Sequence, residues 1–302
     1  MQQTLVSVSI TNVCSCFEEF QLESYRAASI ENSIDARVCD TKRENHTYIV
    51  LSIQSASWLF ANAGGETLQH ICVVEDLHKY YKVGEVVVKA LRGVNLRIRE
   101  ADFAVIVGPS GSGKSTLLNI LGGMDTPTSG RVLYKGEDII KYDETRLTAY
   151  RRHEVGFVFQ LYNLMSFLTA RENVDLATEL VRDKALPSCE VLASVGLSDR
   201  ANHFPSQLSG GEQQRVAIAR VVAKRPGVLL CDEPTGALDY ETGKGILSLL
   251  RDINRTYNTT VVLITHNVAI ARMADQVFRM RSGDIVESTR NSSPASAEDI
   301  EW

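Results

Sequence analysis

The stretch that most constrains the fold is GPSGSGKST, which covers residues 108–116. It follows an unbroken apolar run, FAVIVG, and it precedes the apolar stretch LLNIL. An uninterrupted apolar strand is typical of a parallel sheet that is covered on both faces. Glycines in the connecting loop permit positive φ angles and let backbone amides approach a ligand closely. The pattern therefore predicts a buried strand, an anion-binding loop and a helix, in that order.

Two later runs, GVLLCDE and TTVVLITH, repeat the pattern of a buried strand. Between them Ile246, Leu250 and Ile253 recur at helical spacing, so a crossover helix is predicted to join two parallel strands. Upstream, the β-rich runs ICVVEDL, EVVVKAL and VNLRIRE are typical of antiparallel strands. Residues 170–225 are predicted to be mostly helical. These patterns predict an α/β fold with a mostly parallel sheet, an N-terminal antiparallel β subdomain and an inserted helical subdomain.

Composition divides the chain at about residue 70. Residues 1–70 carry eight Asp/Glu against four Lys/Arg and show no regular apolar period, so we interpret them as an extension of unknown order. Residues 71–290 hold all the motifs and form the predicted domain. Residues 291–302 are polar, and this tail is predicted to be disordered.

Charge and cysteine content restrict the class of protein. A net charge of -5 gives no basic footprint for nucleic acid or for an anionic membrane. The 6 cysteines lack paired spacing, which favours free thiols in a reducing compartment over disulfides or a zinc site. Residues 47–63 are apolar, but polar residues interrupt the stretch and it is short for a spanning helix. A membrane-spanning segment there is therefore less favoured.

The glycine-rich loop also fits the spacing G-x-x-x-x-G-K-[ST]. Its amides and the positive end of the following helix dipole are suited to hold a polyphosphate. Lys114 is expected to reach the β- and γ-phosphates, and the Ser115 hydroxyl is expected to bind Mg²⁺. The predicted nucleotide-binding positions in the loop are Gly108, Pro109, Ser110, Gly111, Ser112, Gly113, Lys114, Ser115 and Thr116.

Two adjacent acids end the run VLLCDE. Asp232 lies at the predicted carboxyl end of a parallel strand, where it can bind Mg²⁺ directly or through water. Glu233 is placed to polarise an attacking water. Gln160 and His266 end two other apolar runs, so we expect them at the same sheet edge. The alternative is a solvated strand end with an unrelated Gln and His, and the phosphate loop upstream favours the catalytic interpretation.

The stretch LSGGEQQRVAIAR begins with the spacing of a capping box. Ser209 and Glu212 fit S-x-x-E, which predicts Ser209 as the N-cap of a helix that runs through Arg220. Gly210 and Gly211 favour a close approach of the backbone to a ligand. An ordinary capped helix is the alternative. Because the phosphate loop serves the chain's own nucleotide, a second anion site here points to a second copy of the chain.

In this order, the motifs resemble those of ATP-binding-cassette (ABC) transporter ATPase subunits. The resemblance rests on the phosphate loop, Gln160, His266 and the stretches GGMDTPTSG, RANHFPSQLSGGEQQRVAIAR, DEPTGALD and ADQVFRMRSGDIVE. It covers residues 71–288 and is greatest for the lipoprotein-release and macrolide-efflux branch, with its LolD-like, MacB-like and FtsE-like subunits. The implied fold is a P-loop NTPase core whose helical insertion carries the LSGGE signature motif.

The resemblance implies a head-to-tail homodimer with two composite sites for ATP. Each ATP would lie between the phosphate loop of one subunit and Ser209 and Gly211 of the other. Asp239, in GALD, would connect the two sites. The implied catalytic residues are Glu233, His266, Gln160 and Lys114, and the implied Mg²⁺ ligands are Ser115, Gln160 and Asp232.

The resemblance also implies an aromatic residue that stacks on adenine. Tyr81 matches this position in YYKVGE. Tyr80 is its rival, because the register rests on the single residue Gly84.

The partner implied by the resemblance is a separately encoded membrane permease of the FtsX/MacB type. Such a partner would place this chain in the cytoplasm, on the inner face of the cell membrane. Ser166 departs from relatives, which commonly carry proline at this point of the permease-binding surface. Export, lipoprotein release and regulation of cell-wall hydrolases remain alternatives. ABC ATPases that act on nucleic acid are less favoured, because the roughly 49 residues between Gln160 and Ser209 are too few for a long coiled coil.

Overall fold

The computed structural model describes residues 70–181 and 184–301. Its strands are β1 (His70–Val83), β2 (Val86–Arg99), β3 (Phe103–Val107), β4 (Ser129–Tyr134), β5 (Glu137–Asp138), β6 (Val155–Val158), β7 (Val228–Asp232), β8 (Thr260–Thr265), β9 (Gln276–Arg281) and β10 (Asp284–Arg290). Its α-helices are α1 (Lys114–Leu121), α2 (Glu144–His153), α3 (Ala170–Thr178), α4 (Ser188–Ser194), α5 (Gly210–Val222) and α6 (Tyr240–Tyr257).

The smaller sheet is antiparallel, in the order β2-β1-β4-β5. The sequence runs EVVVKAL and VNLRIRE belong to one 14-residue strand, β2, rather than to two. The pairing with β1 changes register between Leu77 and His78, whose partners are Val94 and Arg92. The residue left out is Gly93, which has a φ of 93°. A bulge at this glycine lets the strand continue where the sequence pattern breaks.

The larger sheet has the order β10-β9-β3-β8-β7-β6. All its neighbouring strands are parallel except β9 and β10. Strands β3, β6, β7 and β8 therefore present their carboxyl ends at one edge, and the loops that follow them meet there.

Strand β3 is buried on both faces, as its apolar run predicted. Phe103, Val105 and Val107 pack in a core with α5 and α6. Ala104 and Ile106 face the opposite side, in a second core with α1 and the antiparallel sheet. The alternation fixes the position of the loop that leaves this strand, because both faces are held by packing.

The helical insertion lies between the paired strands β6 and β7, as predicted, and contains α3, α4 and α5. Helix α6 then joins β7 to β8, and its residues Ile246, Leu250 and Ile253 are buried. The predicted crossover helix is therefore confirmed.

The prediction of a disordered tail is wrong for residues 291–301. Ile300 is 0% exposed and belongs to the same core as α6. The Tyr240 hydroxyl donates to the Ile300 carbonyl oxygen at 3.0 Å, and Lys244 Nζ donates to the Glu298 carbonyl oxygen at 3.0 Å. Polar composition concealed this packing, because a few apolar residues are enough to dock a short segment.

The predictions for residues 1–69, including the apolar stretch at 47–63, lie outside the described residues. Within the two ranges that the structure describes, no helix is both long enough and apolar enough to cross a membrane.

We expect Ile300→Ala to lower the free energy of unfolding by about 2 kcal/mol. This is the low end of the range for emptying a buried aliphatic site, because a short segment that is docked by a few apolar residues can detach locally. Urea denaturation followed by circular dichroism measures the change. The control is Glu301→Ala at the exposed neighbouring position, which should change stability by less than about 0.5 kcal/mol. Equal stability of the two variants would contradict the packing of the tail.

Candidate functional site

The loop between β3 and α1 depends on glycine for steric reasons. Gly113 is the N-cap of α1 and has a φ of 102°. A Cβ atom at Gly113 would lie 2.5 Å from the Ala90 carbonyl oxygen, and one at Gly108 would collide with the Met280 carbonyl oxygen. Gly111 has a φ of 75° and faces open space. The loop therefore packs tightly against its neighbours on one side and stays open on the other.

Lys114 directly follows this loop as the first residue of α1 and is only 6% exposed. Its Nζ donates to the carbonyl oxygens of Gly108 at 2.8 Å and of Pro109 at 3.0 Å. Burial lowers the pKa of Lys114, and the negative charges of Glu233 and Asp232 oppose this shift. The ammonium group is thus held at the loop by neutral carbonyls, with two carboxylates nearby.

A cleft of about 610 Å³ lies against the open side of the loop. Its other walls come from β2 and from the turn between β9 and β10. The sequence motifs do not identify these wall residues as part of the site: Val87, Val88, Lys89, Ala90, Arg92, Ser282 and Gly283. The Gly283 amide donates to the Ser112 carbonyl oxygen at 2.9 Å, and the Arg92 amide donates to the Gly283 carbonyl oxygen at 2.8 Å. These hydrogen bonds join three segments that are distant in sequence. The residues SGD after β9 form a turn pattern, which was the one local signal for this wall.

Ser115 and Asp232 face each other across the cleft edge. The Ser115 hydroxyl donates to Asp232 Oδ1 at 3.4 Å. Burial raises the pKa of Asp232 and the charge of Glu233 adds to the shift, while the bond from Ser115 opposes it. A hydroxyl and a carboxylate are the hard oxygen ligands that Mg²⁺ prefers. A divalent cation would also balance the two adjacent carboxylates, so the donor set fits Mg²⁺.

Glu233 follows β7 in a strained backbone conformation. Its φ is 48°, which is uncommon for a residue with a side chain. Nδ1 of His266 lies 2.8 and 3.0 Å from the two carboxylate oxygens of Glu233. Because a carboxylate only accepts hydrogen bonds, Nδ1 must carry the proton in this arrangement. Two residues that the sequence placed at neighbouring strand ends are therefore in direct contact.

Gln160 follows β6 and lies beside the loop after Glu233. A Cβ atom at Gly236 would come within 3.0 Å of Gln160 Nε2. The Gly236 amide in turn donates to the Glu233 carbonyl oxygen at 3.0 Å. The structure thus brings five residues to one sheet edge, as the sequence predicts for their position: Lys114, Asp232, Glu233, Gln160 and His266. Their chemical roles are a separate prediction.

Ser209 begins α5 with the predicted capping box. Its hydroxyl accepts from the Glu212 amide at 3.3 Å, and Glu212 Oε2 accepts from the Ser209 amide at 2.8 Å. The two glycines that follow have an intrachain cause. A Cβ atom at Gly210 would lie 2.7 Å from the Tyr162 hydroxyl, and one at Gly211 would collide with the Thr242 side chain. The close approach of the backbone at these two glycines is therefore explained by side chains of the same chain, and it does not require a ligand.

Asp239 is also a helix cap, because its carboxylate accepts from the Thr242 amide at the start of α6 at 3.0 Å. In the described part of the chain, neither Ser209 nor Asp239 forms a hydrogen bond to the phosphate loop. Both side chains are exposed. The structure thus keeps these two residues apart from the group around Lys114.

Comparisons with known proteins decide the family. The family described as "ABC transporter" matches residues 91–236. A solved structure, described as the dimeric post-hydrolysis state of an ATP-binding cassette bound to ADP and Pi, is 42% identical, with a TM-score of 0.67. The match covers 72% of this chain and 98% of that one. This chain belongs to the ABC transporter family.

Two curated relatives of this ABC protein are longer chains. A putative ABC transporter ATP-binding protein of Mycoplasma pneumoniae is 41% identical over 264 residues, which are 85% of this chain and 57% of the relative. The macrolide export ATP-binding/permease protein MacB of Hyphomonas neptunium is 43% identical over 232 residues, which are 74% of this chain and 35% of MacB. The predicted family, the P-loop α/β fold and the ATPase class are confirmed. The roles of individual residues stay predictions.

The ABC assignment leaves the choice between Tyr81 and Tyr80, and the geometry favours Tyr81. The Tyr81 hydroxyl donates to Asp125 Oδ2 at 2.7 Å and also interacts with the side chain of Thr116, at the end of the phosphate loop. The Tyr80 hydroxyl instead lies 3.0 Å from Nδ1 of His78. The aromatic residue on the loop side is therefore Tyr81.

We expect Tyr81→Ala to raise the Kd for ATP by about five- to thirtyfold, because stacking of an aromatic ring on a base contributes about 1–2 kcal/mol. Fluorescence titration with a labelled ATP analogue measures the Kd. Tyr80→Ala is the matched control and should change it by less than about twofold. A larger loss for Tyr80→Ala would reverse the assignment.

Proposed function

We propose that residues 71–290 form the ATP-binding and ATP-hydrolysing cassette of an ABC transporter, which dimerises on ATP to drive a separately encoded permease. The observation that carries the proposal is the placement of Lys114 at the loop with the Glu233–His266 pair on the same sheet edge. Phosphate binding and activation of water require these two elements in one site.

Lys114 would bind the β- and γ-phosphates of ATP. Its ammonium donates to two loop carbonyls. Phosphate oxygens carry negative charge and accept stronger hydrogen bonds than these carbonyls, so the ammonium is expected to turn toward ATP when it binds. The amides of the loop and of the first turn of α1 would hold the remaining phosphate oxygens.

Ser115 and Asp232 would hold Mg²⁺, and Gln160 would complete its ligands from the neighbouring loop. The 3.4 Å separation of the Ser115 hydroxyl and the Asp232 carboxylate supports this assignment. When bound, Mg²⁺ neutralises charge on the phosphate oxygens of the substrate.

Glu233 would accept a proton from the water that attacks the γ-phosphate. Its carboxylate is held by His266 Nδ1. Nε2 of the imidazole has no hydrogen bond to the described residues, so it would be available to contact the γ-phosphate or the water. The positive φ of Glu233 aims the side chain away from the direction that a continuing strand would give it. General-base assistance of this kind contributes about 10²- to 10⁴-fold to a rate.

Ser209 and Gly211 would complete the ATP site of the partner subunit, and Asp239 would lie between the two sites. The exposed Ser209 hydroxyl at the start of the 13-residue helix α5 supports this arrangement, because the helix N-terminus attracts an anion. The similarity to a dimeric cassette bound to ADP and Pi supports it as well.

The surface after Gln160 is suited to a permease of the FtsX/MacB type. Leu161 and Phe167 are 72% and 73% exposed, and Met165 lies between them at 43%. Exposed apolar residues in one segment are typical of a protein interface. MacB joins ATP-binding and permease parts in its name, which supports a membrane partner and a position on the inner face of the cell membrane. Copurification with the permease would separate export from lipoprotein release and from regulation of cell-wall hydrolases.

We expect Glu233→Gln to keep ATP binding and to lower turnover by about 10²- to 10⁴-fold, because the side chain keeps its shape and loses its basicity. Phosphate release measures turnover, and size-exclusion chromatography with ATP should show an accumulated dimer. Wild-type turnover in this variant would rule out Glu233 as the base.

We expect Ser209→Arg to reduce ATP hydrolysis to less than about 1% of wild type and to leave ATP binding by the monomer nearly intact, because it blocks the partner's γ-phosphate. Thr169→Arg is the matched control, because Thr169 caps α3 through the same capping box with Glu172. This control measures how much activity and stability are lost when such a helix cap is removed away from the proposed ATP site. A large loss of ATP binding by monomeric Ser209→Arg would contradict the shared site.

A mixture of Ser209→Arg with Lys114→Ala tests the same arrangement further. In a heterodimer one composite site carries both substitutions and the other carries neither. We expect part of the activity to return on mixing, and no return would count against two composite sites.

A further inference from the structure

Gln214 is a fully buried polar residue on α5, with 0% exposure. Its Nε2 donates two hydrogen bonds. One reaches the Phe159 carbonyl oxygen at 3.3 Å, and the other reaches the Pro234 carbonyl oxygen at 3.0 Å. Phe159 directly precedes Gln160, and Pro234 directly follows Glu233. A single side-chain amide thus joins the backbones beside both of these residues.

The orientation of this amide follows from its partners. Two carbonyl oxygens can pair only with the NH₂ group, because the reversed amide would place its oxygen against both of them. The other amide atom, Gln214 Oε1, is buried and has no hydrogen-bond partner among the described residues. An unpaired buried acceptor lowers the stability of the fold. The favourable contribution of the buried amide therefore comes from the two hydrogen bonds that it donates.

The backbone at Glu233, next to the carbonyl that Gln214 binds, has a conformation that needs support from its surroundings. Glu233 has a φ of 48°, and such a conformation persists only where surrounding contacts restrain it. One restraint is the hydrogen bond from the Glu233 amide to the Ile264 carbonyl oxygen at 3.1 Å, and another is the bond from the Gly236 amide at 3.0 Å. The bond from Gln214 to Pro234 restrains the same turn from the side of α5.

We propose that Gln214 is a positioning residue that holds Gln160 and Glu233 in register with each other and with helix α5. The inference rests on the proposed function, in which Glu233 is the base and Gln160 is a ligand of Mg²⁺. Ser209 is the N-cap of α5. Gln214 would therefore link the end of α5 that faces the partner's ATP in the proposed dimer to the residues that act on the chain's own ATP. It touches no reacting atom and acts through the two backbones.

The adjacent residue, Gln213, is a matched control. Its Nε2 donates at 3.1 Å to the carbonyl oxygen of Leu208, just before α5, and not to either strand end. The two glutamines share residue type and helix. They differ in the backbone segment to which the side chain donates, and Gln213 is half-buried whereas Gln214 is fully buried.

The test compares Gln214→Met with Gln213→Met in the full chain. Methionine has nearly the size of glutamine and cannot donate a hydrogen bond. We expect Gln214→Met to lower kcat by about 10- to 100-fold, as for a small displacement of groups around a reacting centre. The KM and the Kd for ATP should stay within about twofold, because the phosphate loop is untouched. Gln213→Met should keep kcat within about twofold of wild type.

Gln214→Glu supplies a second measurement. A protonated carboxyl can donate one hydrogen bond, and burial favours the protonated form. We expect its kcat, relative to wild type, to rise by at least about threefold as the pH falls from about 8 to about 6. The same ratio for Gln214→Met should stay constant. Loss of fold alone would not produce this recovery.

Wild-type kcat in Gln214→Met would overturn the inference, and so would equal losses in Gln213→Met and Gln214→Met or a loss that appears only in KM. Failure of the proposed function has a different result, because wild type would then not hydrolyse ATP and Glu233→Gln would have no effect. The purified wild type therefore decides the proposed function before any Gln214 variant is measured.

Discussion

The site depends on the register of four parallel strands. Val107 of β3 pairs with Thr265 of β8, and Ile264 of β8 pairs with Asp232 of β7. Cys231 of β7 pairs with Val158 of β6. Because these pairs lie at the last or next-to-last residues of their strands, the phosphate loop, His266, Glu233 and Gln160 all leave the sheet at the same edge. A shift of one residue in any pair would move a functional side chain to the other face of the sheet.

The sequence predicts the site best where the residues that carry the chemistry are also adjacent in the chain. The loop at residues 108–116, the acids Asp232 and Glu233 and the capping box of Ser209 each lie within a few adjacent residues, so spacing alone identifies them. The walls of the cleft could not be found this way, because Ala90 and Gly283 meet the loop only through tertiary contacts. The same holds for the tail, in which Ile300 is buried by a helix 43 or more residues upstream.

Some sequence patterns predict the position of a close contact correctly but do not identify what makes the contact. Gly210 and Gly211 indicated a close approach, and the structure supplies one from Tyr162 and Thr242 of the same chain. Glycine spacing cannot distinguish a ligand from a neighbouring helix, because both need the space of a missing side chain. The positive φ of Glu233 had no signal at all, since the residue type does not favour that conformation. It results from the tertiary contacts around the turn.

Helix α5 holds the segment after β6 at more than one point. Besides the bond from Gln214 to Phe159, Arg220 donates to the Asn163 carbonyl oxygen at 2.6 Å and to the Tyr162 carbonyl oxygen at 3.3 Å. The exposed Leu161 lies within this held segment. These bonds tie both ends of the short segment to the helix. In the proposed dimer, ATP would contact the start of α5 and the proposed permease would dock at Leu161, so both would act on one hydrogen-bonded unit, and a movement at one would reach the other through these bonds.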